Sequence, residues 1–111
     1  MIAGTLDFLA SHADGSVSIY DWKRSEKIIH ADGRIQQNRY QTQEGPLADL
    51  DDSSFSRYSI QQNLYKWLLE SKYGYRVRSM HLVVLHPSYS NYTVLEIPDR
   101  TKHIEKIISS L

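Results

Sequence analysis

The chain has 111 residues, 13 basic and 13 acidic side chains, and no cysteine. That length suits one domain with a single core that needs no staples, and the lack of thiols excludes disulfides and thiolate metal sites and fits a reducing, cytoplasmic setting. A formal net charge of zero argues against a protein coated in nucleic acid by bulk charge. The N-terminus, with no basic start and Asp7 inside its apolar stretch, does not read as a secretory signal. The longest purely aliphatic run, Leu82-Val83-Val84-Leu85, is far too short to span a bilayer.

Leu6 to Ala10 reads as a first strand and Ser16 to Asp21 as a second, with Val17 and Ile19 two apart as a pleat requires. Asp14-Gly15 between them predicts a type I′ hairpin turn, with positive φ at both central positions. Asp7 lies seven residues before Asp14 and Asp21 six after Gly15, so the two carboxylates are expected opposite one another to within one residue. Like charges paired across a ladder destabilise it, and a divalent cation held by hard oxygen ligands is the simplest compensation. Lys23, two residues beyond Asp21, alternates onto the same face. Each of these residues alone also suits an exposed strand acid or a solvated ion pair; the paired arrangement with the lysine points to metal-dependent phosphodiester chemistry.

Residues 26 to 55 are polar and weakly periodic, with turn signals at Gly33, Gly45-Pro46 and Asp51 to Ser54. A stretch of this length reads as a lid or binding loop. Charge is uneven here: Lys23, Arg24, Lys27, Arg34 and Arg39 face only Glu26 and Asp32 in their segment, whereas Glu44 to Asp52 carries four acids and no base. A local basic segment beside a metal site could hold a phosphate backbone. Next comes a helix whose apolar stripe is Ile60, Leu64, Trp67 and Leu68, capped by residues between Asp51 and Ser56 and stopped at Gly74. Gln61 and Tyr65, at i and i+4 beside that stripe, point the same way. Val77 to His86 reads as a central strand because its end is apolar on both faces. Tyr92 to Ile97 reads as another strand, and a last helix, capped by Asp99, carries Ile104, Ile107, Ile108 and Leu111. The order β-β-loop-α-β-β-α is that of an α/β domain spanning residues 1–111, a mixed sheet flanked by helices. The five histidines lack zinc-like spacing.

Gly4-Thr5-Leu6-Asp7, then Asp21-Trp22-Lys23-Arg24-Ser25, then Gln61-Gln62-Asn63-Leu64-Tyr65 resemble the PD-(D/E)XK nuclease superfamily, and within it the RecB-type exonucleases with their Gln-x-x-x-Tyr motif. The segment from Pro46-Leu47 through Tyr58 to Lys66 is similar to phage and large-virus members of that branch. The resemblance implies a restriction-endonuclease-like core and Mg²⁺- or Mn²⁺-dependent hydrolysis of DNA, leaving 5′-phosphates. It implies that Asp7, Asp21 and the carbonyl of Trp22 hold the metal, that Lys23 orients or activates water, and that Gln61 and Tyr65 support Lys23 or grip the backbone. Arg24 and Ser25 are implied phosphate contacts, with Lys27, Arg34 and Arg39 in the basic segment beside them. Many members add a Glu or His from a helix before the first strand. The sequence begins at Met1, almost inside that strand, so the helix is expected to be missing; His12, Glu44, Glu70 or a partner chain are its candidate substitutes. Two alternatives stand beside a deoxyribonuclease: a nuclease fold that binds nucleic acid or assembles without cutting, and a nuclease acting on RNA. Strand preference, polarity and a homo-oligomeric state are left open.

Overall fold

A computed structural model describes residues 8–30, 32–38, 40–86 and 92–111. Four strands and two α-helices follow one another as β1 (Phe8–Ser11), β2 (Val17–Arg24), α1 (Ser54–Tyr73), β3 (Val77–Leu85), β4 (Tyr92–Glu96) and α2 (Thr101–Ser109). This is the order expected from the sequence. The strands form a mixed sheet in the order β1-β2-β3-β4. β1 and β2 are antiparallel, β2 and β3 parallel, and β3 and β4 antiparallel. A parallel pair needs a long crossover, which the loop after β2 and α1 supply. β3 is central, as its two-sided apolar run requires. No helix among the described residues is long and apolar enough to cross a membrane.

The first turn differs from the expectation. Gly15 alone has a left-handed backbone, at φ 86°, and no described non-glycine residue does. The amide of Gly15 donates to the carbonyl of His12 at 3.0 Å and that of His12 to the carbonyl of Ser16 at 2.9 Å. The link is therefore a three-residue hairpin with glycine in the left-handed position, not a two-residue type I′ turn. Asp14 completes it by accepting from the Ser16 amide at 3.0 Å and hydroxyl at 2.6 Å.

The tetrapeptide His-Ala-Asp-Gly recurs at residues 30–33, and the bonds recur with it. Gly33 has φ 85°, its amide donates to His30 at 2.9 Å and His30 donates to Arg34 at 2.8 Å, and Asp32 accepts from the Arg34 amide at 3.0 Å. This second turn closes the bridge Ile29↔Ile35 inside the long polar loop. Ile28 and Ile29, on its near side, are buried in the core. The loop also carries a 3₁₀ turn, Gly45–Leu47, and a bridge Thr42↔Asp51.

α1 starts where Ser53 accepts from the Ser56 amide at 3.2 Å and stops at Gly74, whose φ of 73° makes it the left-handed cap. Asp51 stands behind this cap. It accepts from the Asn38 amide at 2.7 Å and from the hydroxyls of Ser53 and Ser56. Burial raises its pKa, but the bonds from Ser56, Asn38 and Ser53 outweigh this and hold it below the ordinary value.

The buried face of α1 is not the apolar stripe. Its buried residues are Phe55, Ser56, Ser59, Gln62 and Asn63, while Ile60, Leu64, Trp67 and Leu68 are half-buried. The reason is hydrogen bonding to backbone on neighbouring elements. Gln62 Nε2 donates to the carbonyl of His81 on β3 at 2.9 Å. Asn63 Nδ2 donates to Pro98 at 3.0 Å, and Asn63 Oδ1 accepts from Arg100 at 2.7 Å. Buried amides satisfied in this way suffer little desolvation penalty, and the strands supply the apolar volume.

The sheet's two faces have different fates. Val17 and Ile19 of β2 and Met80, Leu82 and Val84 of β3 join Phe55 in one core cluster, with Tyr58, Leu69 and Leu95 against it. That is the face under α1. α2 packs on α1 and on the 3₁₀ turn, where Ile104 is its one buried residue and Leu111 lies exposed beyond its end. By alternation, Phe8, Tyr20, Trp22, Val83, Leu85, Tyr92 and Val94 occupy the opposite face, and none of them belongs to the core cluster.

Candidate functional site

The site is built on the second half of β2. Asp21 and Lys23 alternate onto the α1 side, as expected. The Asp21 carboxyl is 2% exposed and the Lys23 side chain 18%, and Lys23 Nζ lies 3.6 Å from Asp21 Oδ2. The ammonium also sits 5.0 Å from the centre of the Tyr58 ring, a cation–π distance. A carboxylate this deep needs a compensating charge, and Lys23 supplies one from the same strand. Lys23 keeps a path to solvent; Asp21 has almost none.

Asp7, the expected second carboxylate, lies outside the described residues, as does Arg39. The described part of the β1–β2 ladder runs from Ser11↔Val17 to Phe8↔Tyr20. The Trp22 indole points to the opposite face from Asp21 and is 46% exposed. Arg24 follows Trp22 onto that opposite face, away from Lys23. The Ser25 amide continues the sheet by donating to Leu85 at 3.1 Å, and its hydroxyl accepts from the Lys27 amide at 3.0 Å. Lys27 and Arg34 are exposed, and Arg34 is ion-paired to Asp32 inside its own turn.

On α1, Tyr58 and Gln62 touch the sheet beside the pair expected from the sequence. Gln61 and Tyr65 are both half-buried. One residue further on, about 100° around the helix, Gln62 is 2% exposed and bonded to β3. Tyr58 and Gln62, again at i and i+4, are polar residues of α1 that touch the sheet, with Tyr58 under Lys23. Gln62 Oε1 is buried and accepts no hydrogen bond among the described residues, although its amide nitrogen is fixed on His81. Tyr58 and Gln62 were legible only as a second i, i+4 pair in a helix with two such pairs; nothing local ranks one above the other.

Among the described residues, no three or more His, Asp or Glu side chains come together as a metal-binding group. Of the candidate substitutes, Glu70 pairs with Lys66 at 2.9 Å and accepts from the Val77 amide at 3.2 Å. His12 bonds the Ser18 hydroxyl at 2.7 Å. Glu44 is exposed beside the 3₁₀ turn. Asp21 is thus a hard oxygen donor of the kind Mg²⁺ takes, but the described donors alone fall short of its octahedral shell.

No family model, curated protein or solved structure matches this chain.

Proposed function

We propose that the chain is a metal-dependent phosphodiesterase of the RecB-like nuclease type acting on DNA, with Asp21 and Lys23 at its centre. The observation that carries this reading is the buried Asp21 carboxylate with the Lys23 ammonium 3.6 Å away on one strand face. A sheet that needed only apolar filling at this position would hold an aliphatic residue, as it does at Ile19 and Leu82. Asp7 and the Trp22 carbonyl are the further oxygen donors that Mg²⁺ or Mn²⁺ would require beside Asp21. The ion, when bound, polarises a phosphoryl oxygen and acidifies a coordinated water.

The remaining work falls to the chain. Asp21 holds Lys23 in place through their ion pair. Lys23, one strand step nearer solvent, presents its ammonium to the non-bridging phosphate oxygens and to the attacking water, and offsets the charge that grows there. Tyr58 limits the directions in which that ammonium can swing. Gln62 ties the helix carrying Tyr58 to β3.

The test is a time course on end-labelled single- and double-stranded DNA, and on RNA, with Mg²⁺, Mn²⁺ or EDTA. Cleavage should require the metal and leave 5′-phosphates. Asp21→Ala and Lys23→Ala, shown folded by circular dichroism, should each lose on the order of 10²-fold or more. Undiminished cleavage by both variants would overturn the reading. The second reading is a nuclease fold that binds nucleic acid without cutting. Metal-independent binding with no turnover would select it.

A further inference from the structure

The sheet face opposite α1 is apolar, aromatic and open. Phe8 is 53% exposed, Trp22 46%, Tyr92 61%, Val94 48% and Leu85 39%. The rings are already gathered: Phe8 and Tyr20 lie 5.6 Å apart, Tyr20 and His81 stack at 4.5 Å, and Trp22 and Tyr92 lie 6.3 Å apart. No described element covers them, since both helices lie on the other side. Isolated exposed apolar residues are ordinary; a contiguous set across four strands is not.

The register places its charges. Rows across the face read Phe8-Tyr20-His81-Glu96, then Trp22-Val83-Val94, then Arg24-Leu85-Tyr92. The middle row is uncharged. Arg24 stands at one corner and Glu96 at the diagonal corner, four residues along and two strands across, roughly 16 Å away. Neither forms an ion pair among the described residues. Val83, 3% exposed, sits at the midpoint of that diagonal.

The geometry points to a second copy of this chain as the occupant, packed face to face through a two-fold axis over Val83. An isologous contact repeats each residue pair twice. An axis in the interface, perpendicular to the diagonal, sets Arg24 against Glu96 of the partner subunit and Glu96 against Arg24 of the partner subunit. The uncharged aromatic centre then meets itself, as cores of subunit interfaces do, in the manner of two packed sheets. A nucleic acid would ask for a cationic face, and among the described residues this one carries one base and one acid. The face measures about 26 Å along β2 and about 14 Å from β1 to β4, so two copies cover roughly 700 Å² between them, the size of a weak, transient contact rather than a standard interface, and association should follow concentration.

The experiment is sedimentation velocity of the full chain over a hundredfold dilution series, with melting curves as the folding control. The expected result is reversible association to twice the 12.9 kDa chain mass. Val94→Arg should be a folded monomer, with Tyr92→Ser as a second variant on the same face. Arg24→Glu and Glu96→Arg should each weaken association by on the order of tenfold, and the double variant should recover it. A monomer at every concentration, a dimer indifferent to Val94→Arg, or a double reversal no better than the singles would each overturn the proposal. So would a monomer whose tryptophan emission is quenched by an oligonucleotide, which would give the face to nucleic acid.

Discussion

β2 presents two faces with the same alternation and opposite outcomes. Toward α1 it turns Val17, Ile19, Asp21 and Lys23, and there even the carboxylate is 2% exposed. Away from α1 it turns Tyr20, Trp22 and Arg24, and there the tryptophan is 46% exposed. Composition alone would predict the reverse, with charges outside and aromatics inside. The difference teaches that cover, not hydropathy, decides burial along this strand. α1 seals whatever lies beneath it, including one ion pair, and what the other face buries depends on something brought to it.

Substitutions can break this contrast. Leaving one member of a buried ion pair alone is costly, so Asp21→Ala should lose about 3 kcal/mol, at the low end of the usual range because Lys23 reaches solvent. Urea unfolding measures it, and a loss near zero would show the α1 face to be as permissive as the other. Gln62→Ala should follow at roughly 2 kcal/mol, since it strips the His81 carbonyl of its donor and leaves a gap; the same titration checks it. On the opposite face Val94→Arg, measured at a concentration where the chain is monomeric, should stay within about 0.5 kcal/mol of the parent.

The smallest effect should come from a turn that belongs to neither face. The Ser16 hydroxyl and amide hold the Asp14 pKa down to about 2. A carboxylate with a lowered folded value adds stability above its unfolded pKa and loses it as pH falls through the folded one. Asp14→Asn should therefore cost a little stability near neutrality, small because the turn is exposed, and converge on the parent as the parent's stability declines between pH ~4 and pH ~2. An acid limb identical to the parent's would show that the turn carries no such linkage.

What was legible in the sequence was what local rules govern. Strand alternation put Asp21 and Lys23 on one side, the two-sided apolar run made β3 central, and Gly74 ended α1. The face of α1 was hidden because its buried positions, Ser59, Gln62 and Asn63, are polar. Their burial depends on carbonyls and amides that β3 and the segment after β4 bring from far along the chain. The first turn departs from the expected type for a smaller reason: Asp-Gly also fits a three-residue loop in which only the glycine turns left-handed. The repeat of His-Ala-Asp-Gly shows the limit of such local control. Both copies make the same turn, but one closes a regular ladder and the other a single bridge, because the flanking residues differ.

Asn63 has a consequence for how the molecule comes apart. One side chain holds the carbonyl of Pro98 and the amide of Arg100, the two residues flanking the entry to α2. Beyond that entry, α2 is fastened by one buried isoleucine, by Thr101 near Lys66 and by His103 on Asp49. A segment with so little apolar anchorage opens on its own, well below the free energy of global unfolding. In native-state hydrogen exchange the amides of α2 should trade as one group ahead of the β3 amides, and Asn63→Ala should speed that group alone. The last helix is then a latch held at its entry by one amide and beyond it by a few light contacts, and the sheet with its buried ion pair stays shut when the latch lifts.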